Sequence, residues 1–272
     1  MSFLTDHTGS IRKRYTLGAL LLAAWLLGMV VLHELVKDLP NIDTLQNYEP
    51  PVVTKIVDIR GDTVSEFFVE RRSLIPLTEI PIHLQNAFLA TEDQYFRSHW
   101  GINPRGILRA FLSNIRHGRV VEGGSTITQQ LSKVLFFSQK RTYTRKLREL
   151  LLALQLERNY SKSEILQMYL NEIYFGSGAY GVEAAAKIFF GKPVRDLSLA
   201  ESALVAGLPR SPRNYSPFLN PKAAKRRRAW VLSRMRRSGM ISEAQEAEAN
   251  ATPINDKRNA NTTPAGAYFT EY

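Results

Sequence analysis

Residues 80–101 read IPIHLQNAFLATEDQYFRSHWG, and the fold turns on that stretch. Ile82, Ala87, Phe88 and Leu89 fall on one face at helical spacing, which predicts a helix over residues 81–91 with that face packed inward. Such a helix delivers Glu92 at its C-terminal end, next to Asp93 and among the rings of Tyr95, Phe96 and Trp100. A carboxylate there meets the negative end of the helix dipole and an aromatic neighbourhood, surroundings suited to a general base or acid. Taken alone, the acidic pair reads first as an exposed helix end.

The helical pattern continues for about 170 residues beyond Ile80. Asn103-Pro104 offers an N-cap followed by proline in the first turn. Capping boxes are expected at Ser161 with Glu164, Ser198 with Glu201, and Ser242 with Gln245. Breaks are expected at Gly118, Gly123-Gly124, residues 176–181, Gly191 and Pro209. Upstream, residues 52–70 are rich in β-branched and aromatic side chains and predict a hairpin turning at Gly61-Asp62. The fold class is therefore mainly α with a short N-terminal β-hairpin.

Residues 15–32, YTLGALLLAAWLLGMVVL, carry no charge over 18 positions, close to the roughly 20 that a helix needs to cross a bilayer. Arg12, Lys13 and Arg14 precede the run, so the positive-inside rule keeps the N-terminus in the cytoplasm and sends the rest across. A cleaved signal peptide is the rival reading, but the run is long and lacks a clear small-x-small site. The expected organisation is a cytoplasmic tail at 1–14, a transmembrane signal-anchor helix at 15–35 and a linker at 36–51. The main domain then covers 52–248, and a second linker covers 249–272. The final AGAYFTEY, at 265–272, looks like the apolar start of a further domain.

Across 272 residues, 36 Lys and Arg face 25 Asp and Glu, a formal charge of +11. That excess implies nucleic acid, a phospholipid surface or a phosphorylated substrate as partner. A domain exported on a membrane anchor does not meet chromosomal DNA, so no nucleic acid partner is expected. The absence of cysteine excludes disulfides and thiolate metal sites. His7, His33, His83, His99 and His117 show no metal-ligand spacing. No Lys-Thr-Gly triad accompanies a Ser-x-x-Lys tetrad, so a penicillin-type acyl-transfer site is not expected.

Three further strings carry chemistry. Residues 122–133, EGGSTITQQLSK, place two glycines before a helix that Ser125 or Gly124 can cap. Thr126, Gln129 and Gln130 then offer donors and acceptors for a hydroxylated ligand, and the helix start welcomes phosphate; the plain alternative is a capped helix with a polar face. Residues 141–149, RTYTRKLRE, set Arg145 and Glu149 at i and i+4, and Lys146 and Glu149 at i and i+3. With Lys133 and Arg141, they form a cationic patch suited to a departing pyrophosphate, or else a salt-bridged solvent face. Residues 161–172, SKSEILQMYLNE, are assigned mainly to the core through Ile165, Met168 and Tyr169. A second basic run holds Lys222, Lys225, Arg226, Arg227, Arg228, Arg234, Arg236 and Arg237, expected as a solvated helix face or a surface against anionic headgroups.

In order and spacing, ATEDQYFRSHWG, GGSTITQQLSK, RKLRE, SKSEILQMYLNEIYFG and GLPRSPRNYSP closely resemble the five motifs of the family 51 peptidoglycan glycosyltransferases. That family occurs as monofunctional enzymes and as the N-terminal halves of class A penicillin-binding proteins. The resemblance covers about residue 54 to residue 237. It implies a lysozyme-like helical glycosyltransferase domain with a small membrane-proximal jaw. The implied activity polymerises lipid II into β-1,4 glycan strands with inversion and release of undecaprenyl diphosphate, at the outer face of the bacterial cytoplasmic membrane. It matches Glu92 to the general base and Glu149 to a second essential carboxylate in the donor site. Lys133 and Arg141 match cations on the donor pyrophosphate, and Arg145 and Lys146 belong to the same basic motif. Ser125, Thr126 and Gln129 fall in the substrate-binding motif, whereas Asp93, Phe96 and Asn171 match positions of structural character. The implied partners are lipid II, the growing glycan strand, the anionic membrane surface and other cell-wall synthesis proteins. Mg2+ or Mn2+ is expected only with the substrate diphosphate. Residues 116–124, between two motifs, are expected to be mobile and to order on substrate. Two other readings compete: a lysozyme-like glycan-cleaving enzyme, which has no need of the cations, and a non-catalytic scaffold, which needs neither carboxylate.

Overall fold

The computed structural model describes residues 5–37, 39–40, 42, 54–57, 63–67, 74–119, 123–137 and 142–255. Helix α1 (Thr5–Lys37) contains the apolar stretch Tyr15–Lys37, with a hydropathy of 2.1 and none of it buried, long and apolar enough to cross a membrane. Strands β1 (Thr54–Val57) and β2 (Thr63–Phe67) pair antiparallel, from Thr54 opposite Phe67 to Val57 opposite Thr63. The turn expected at Gly61-Asp62, the segment 265–272 and Arg141 all lie outside the described residues.

The body is helical, as the sequence predicts. A 3-10 turn (Leu77–Glu79) leads into α2 (Ile82–Glu92), followed by α3 (Pro104–His117), α4 (Ile127–Phe136), α5 (Tyr143–Asn159) and α6 (Lys162–Glu172). A small ribbon of β3 (Tyr174–Gly176) and β4 (Ala179–Tyr180) precedes α7 (Val182–Phe190), α8 (Leu199–Gly207), α9 (Pro221–Arg237) and α10 (Glu243–Ala251). The expected signals start these helices. Asn103 accepts from the Gly106 N–H with Pro104 in the first turn, and the boxes at Ser161, Ser198 and Ser242 are all formed. Gly118 and Gly191 close α3 and α7 in the left-handed conformation, at φ 62° and 70°.

Helix α2 is the centre of the core, packed between α8 and α9, while α4 lies between α5 and α6. Phe88 is fully buried and meets Tyr169 and Phe175 edge-on, with ring centroids 5.9 and 6.0 Å away. Burying a side chain of that size contributes about 1.5–3 kcal/mol. One expected core residue is misplaced: Ile82 is 61% exposed. It occupies the first turn after Pro81, before the helix enters the core, and Leu84 and Ala90 are buried instead. In the expected linker, Ile42 is buried with the core cluster.

The second basic run is not a uniformly solvated face. Arg228, 2% exposed, donates to the carbonyls of Asn250 and Thr252 at 3.1 and 2.6 Å, at the end of α10. Arg227 donates through Nε to the carbonyl of Gly207, the last residue of α8, at 3.1 Å. Each buried guanidinium satisfies carbonyls that a helix end leaves unpaired, which explains why a cation is tolerated there. Burial pulls the pKa of both arginines below the ordinary value. Lys222, Lys225, Arg226, Arg236 and Arg237 are exposed.

Helix α3 is the opposite case. It buries only Gly106 and Ala110 and leaves Ile107, Leu108, Phe111, Leu112 and Ile115 exposed along one stripe. Arg105, Arg109 and Arg116 lie on the same helix.

Two glycines separate backbone conformation from steric fit. Gly118 and Gly181 both have positive φ, but a Cβ on Gly118 meets nothing within 4 Å, whereas one on Gly181 falls 2.6 Å from the Asn171 carbonyl oxygen. Gly118→Ala is expected to cost about 1 kcal/mol and Gly181→Ala at least about 3 kcal/mol, measured by denaturant unfolding. Equal costs would show that the close approach carries no energy.

Candidate active site

Glu92 is the last residue of α2, and Asp93 breaks the helix with φ −158° and ψ 79°. The Asp93 carboxylate turns inward. Its Oδ2 accepts from His99 Nε2 at 2.7 Å and from the Ile127 N–H at 3.1 Å. His99 Nδ1 accepts from the Gly101 N–H at 3.0 Å, which fixes the ring proton on Nε2. The Gly101 carbonyl in turn accepts from the Thr126 hydroxyl at 2.7 Å. Gly101 has φ 97°, and a Cβ there would lie 3.0 Å from the Ala153 carbonyl oxygen on α5. The loop after α2 is thereby joined to the first residues of α4. Phe96 is buried in the same loop, with the Lys162 ammonium 4.5 Å from its ring centre.

The cap of α4 differs from expectation. Thr126, not Ser125 or Gly124, is the N-cap, and Thr126 and Gln129 form a capping box with both bonds at 3.2 Å. Both side chains are buried. Each side-chain oxygen accepts from the other residue's backbone N–H, and the Thr126 hydroxyl donates to Gly101, so they shape the helix start. Ser125 is left to face outward from the box, and its hydroxyl accepts from Lys146 Nζ at 2.9 Å.

Lys146 also donates to Glu149 Oε2 at 3.0 Å, and Arg145 Nη1 pairs with Glu149 Oε1 at 2.6 Å. These are the i,i+3 and i,i+4 pairs that the spacing predicts. Glu149 is 2% exposed, so it is a buried carboxylate compensated by two cations; removing one partner of such a set costs about 3–5 kcal/mol. Arg148, on the same helix, donates to the carbonyl of Glu34 at 3.5 Å and ties α5 to the end of α1. Lys133 is exposed on the last turn of α4.

Glu92 is half-buried and lines an open cleft with Gly123, Gly124 and Ser125. Its Oε2 accepts from Gln130 Nε2 at 2.9 Å, and Gln130 Oε1 accepts from the Tyr169 hydroxyl at 3.3 Å. Burial, followed by the charges of Glu92 and Asp93, pushes the Tyr169 phenol well above its ordinary pKa. Arg210, Trp230 and Arg234 also line the cleft. Trp230 lies between Arg227 and Arg234, whose guanidinium carbons are 4.1 and 5.8 Å from its ring centre. Arg234 also donates to the Ala90 carbonyl at 3.4 Å, two residues before Glu92. The charge of Glu92 opposes the effect of burial on Arg227. The sequence reading placed Arg234 on a solvated or headgroup-facing surface and gave neither Arg210 nor Trp230 a role in the site, although the 227–230–234 spacing places a tryptophan between two arginines on one helical face.

Asn171 sits apart from the cleft. It donates to the carbonyls of Ile75 and Gln167 at 2.9 and 3.0 Å and accepts from the Ile75 N–H at 3.1 Å, which pins the segment leading to α2. The structure thus brings Glu92 and Ser125 to one cleft, with Arg145, Lys146 and Glu149 joined to it through Ser125. Among the described residues, no group of three or more His, Asp or Glu is placed to hold a metal ion.

Residues 60–236 match the model of the Transglycosylase family, and the chain belongs to that family. Penicillin-binding protein 1A of Aquifex aeolicus is 45% identical over 248 residues, which are 90% of this chain and 34% of that protein. Penicillin-binding protein 1A of Pseudomonas aeruginosa is 40% identical over 231 residues, 85% of this chain and 28% of that one. The chain therefore spans about a third of the length of these relatives. A crystal structure of penicillin-binding protein 1A from Haemophilus influenzae aligns with a TM-score of 0.46 at 25% identity, covering 78% of this chain and 22% of that one.

Replacing Asp93 by Ala leaves the His99 ring and the Ile127 N–H without their buried acceptor. Asp93→Ala is expected to cost about 2–4 kcal/mol in denaturant unfolding, and Asp93→Asn, which keeps an acceptor oxygen, clearly less. A neutral Asp93→Ala would remove the loop junction from any account of stability.

Proposed function

We propose that this chain is a peptidoglycan glycosyltransferase of bacterial cell wall synthesis that polymerises lipid II. One observation carries the reading: Glu92 and Ser125 line a single cleft, and the Ser125 hydroxyl accepts from Lys146, one of the two cations paired with Glu149. Family membership and the names of the relatives support it.

On this reading Glu92 takes the proton from the 4-hydroxyl of the acceptor sugar as that oxygen bonds to C1 of the donor. The bond from C1 to the diphosphate oxygen breaks, and its electron pair leaves with undecaprenyl diphosphate. Lys146 and Arg145 neutralise the leaving charge, together with Lys133 and Arg141, which are assigned by resemblance. Attack opposite the leaving group turns an α-linked donor into a β-1,4 product. Mg2+ or Mn2+ would accompany the diphosphate itself.

Helix α1 anchors the domain to the outer face of the cytoplasmic membrane, with the N-terminus inside. The apolar stripe of α3, with its arginines, suits a helix lying in the membrane interface and forming the jaw. The bond from Arg148 to Glu34 supports this arrangement, because it holds the basic helix near the lipid-bound end of the substrate. Other cell-wall synthesis proteins are the partners that this location makes available.

Incubation of the purified chain with labelled lipid II is expected to give longer glycan and free undecaprenyl diphosphate. Glu92→Gln is expected to lower the rate by about 10²–10⁴-fold with little change in thermal unfolding. Shortening of preformed glycan without growth would point instead to a cleaving enzyme. Undiminished polymerisation by Glu92→Gln would remove Glu92 as the base.

A further inference from the structure

The cleft beside Glu92 is lined mainly by amide, hydroxyl and charged side chains and by glycine. Into that polar lining Tyr95 and Trp230 bring aromatic rings, 50% and 43% exposed. Trp230 takes no part in the core. Its neighbours on α9, Val231 and Leu232, are fully buried, whereas the indole lines the cleft. The ring is nevertheless held in place. The guanidinium of Arg227 lies 4.1 Å from its centre, and that arginine is buried and bonded through Nε to the Gly207 carbonyl at 3.1 Å. The guanidinium of Arg234, 5.8 Å from the ring centre, is bonded to the carbonyl of Ala90, on the helix that ends in Glu92. Two arginines thus brace the indole, and one of them is tied to the helix of the base.

We propose that Trp230 is a binding contact for the acceptor sugar, an aromatic surface on which a pyranose ring packs. The inference rests on the reading of the cleft as the glycan site of a glycosyltransferase. A pyranose has a face of C–H groups and a rim of hydroxyls. The C–H face packs on the electron-rich face of an aromatic ring, and the rim needs donors and acceptors. Trp230 offers the first, and Gln94, Asn103 and Ser125 in the same lining offer the second. A lipid chain has no use for that polar rim, and a diphosphate needs cations rather than an indole. The acceptor is the sugar concerned because the bracing of Trp230 runs through Arg234 to Ala90, two residues before Glu92. The cations assigned to the leaving group are reached instead through Ser125. A contact to a ring in which no bond breaks is equally strong before and during reaction, so its loss raises KM and leaves kcat in place.

The test compares two variants of the full chain with lipid II as substrate. Trp230→Phe keeps a ring, and Trp230→Leu keeps an apolar side chain without one. Trp230→Leu is expected to raise KM by about 5–30-fold with kcat changed by less than about threefold, and Trp230→Phe to raise KM by less than about threefold. An indole with a structural role alone would instead lower kcat in step with the thermal unfolding temperature and leave KM unchanged, which overturns the contact. An equal rise of KM in both variants overturns it too. A second readout needs no turnover. Trp25, Trp100 and Trp230 are the tryptophans of the chain. Titration with a soluble, uncross-linked oligomer of alternating N-acetylglucosamine and N-acetylmuramic acid is expected to change the tryptophan emission of the parent, and Trp230→Phe to abolish that change. A response that persists in Trp230→Phe, or no response in the parent, overturns the contact while leaving the glycosyltransferase reading intact. A folded parent chain that does not extend lipid II overturns that reading, and the emission titration then decides by itself whether Trp230 holds a sugar.

Discussion

A single oxygen of Asp93 accepts from His99 and from the first N–H of α4, and the geometry of the site depends on that junction. A carboxylate at a helix N-terminus is favoured by the orphan N–H groups and by the helix dipole. Here it also decides where α2 stops. Glu92 is the residue immediately before it, Thr126 caps the helix that it receives, and Ser125 is turned outward by that cap. Lys146 reaches Ser125, and Glu149 is held by Lys146 and Arg145. The acidic pair therefore divides into a half-buried member in the cleft and a buried member that holds the frame.

The positive charge of the chain has two structural uses. Arg227 and Arg228 are inside, where they satisfy the C-terminal carbonyls of α8 and α10. Arg145 and Lys146 surround a buried carboxylate beside the cleft, and Arg210 and Arg234 line its wall. A net charge of +11 thus mixes cations that close helix ends with cations that pair a buried carboxylate or line the cleft. Composition alone cannot sort the two, because the sorting depends on which helix end lies opposite each guanidinium.

The parts of the fold carried by local rules were legible in the sequence. Ser161, Ser198 and Ser242 each sit three residues before a Glu or Gln, and each forms its box. Arg145, Lys146 and Glu149 pair as helical spacing requires. The cap at Thr126 was hidden because Gly124, Ser125 and Thr126 are successive candidates, and tertiary bonds from Gly101 and Asp93 select among them. Ile82 had the right residue type at the wrong depth in the fold. Tyr169 was rightly placed in the core, but its bond to Gln130 spans 39 positions, and that from Gln130 to Glu92 spans 38. Neither distance is encoded in any local pattern, so the polar chain emerges only once α2, α4 and α6 are packed together.

Gly124 sets how closely the two walls of the cleft approach each other. A Cβ at that position would lie 3.0 Å from the Ile107 Cα, so the segment leading to Ser125 rests directly on the backbone of α3. No side chain from Gly124 cushions the contact. The next residue, Ser125, is bonded to Lys146 at 2.9 Å. The helix with the exposed apolar stripe and the cation beside Glu149 are therefore joined by one short run of direct contacts, which a missing side chain allows.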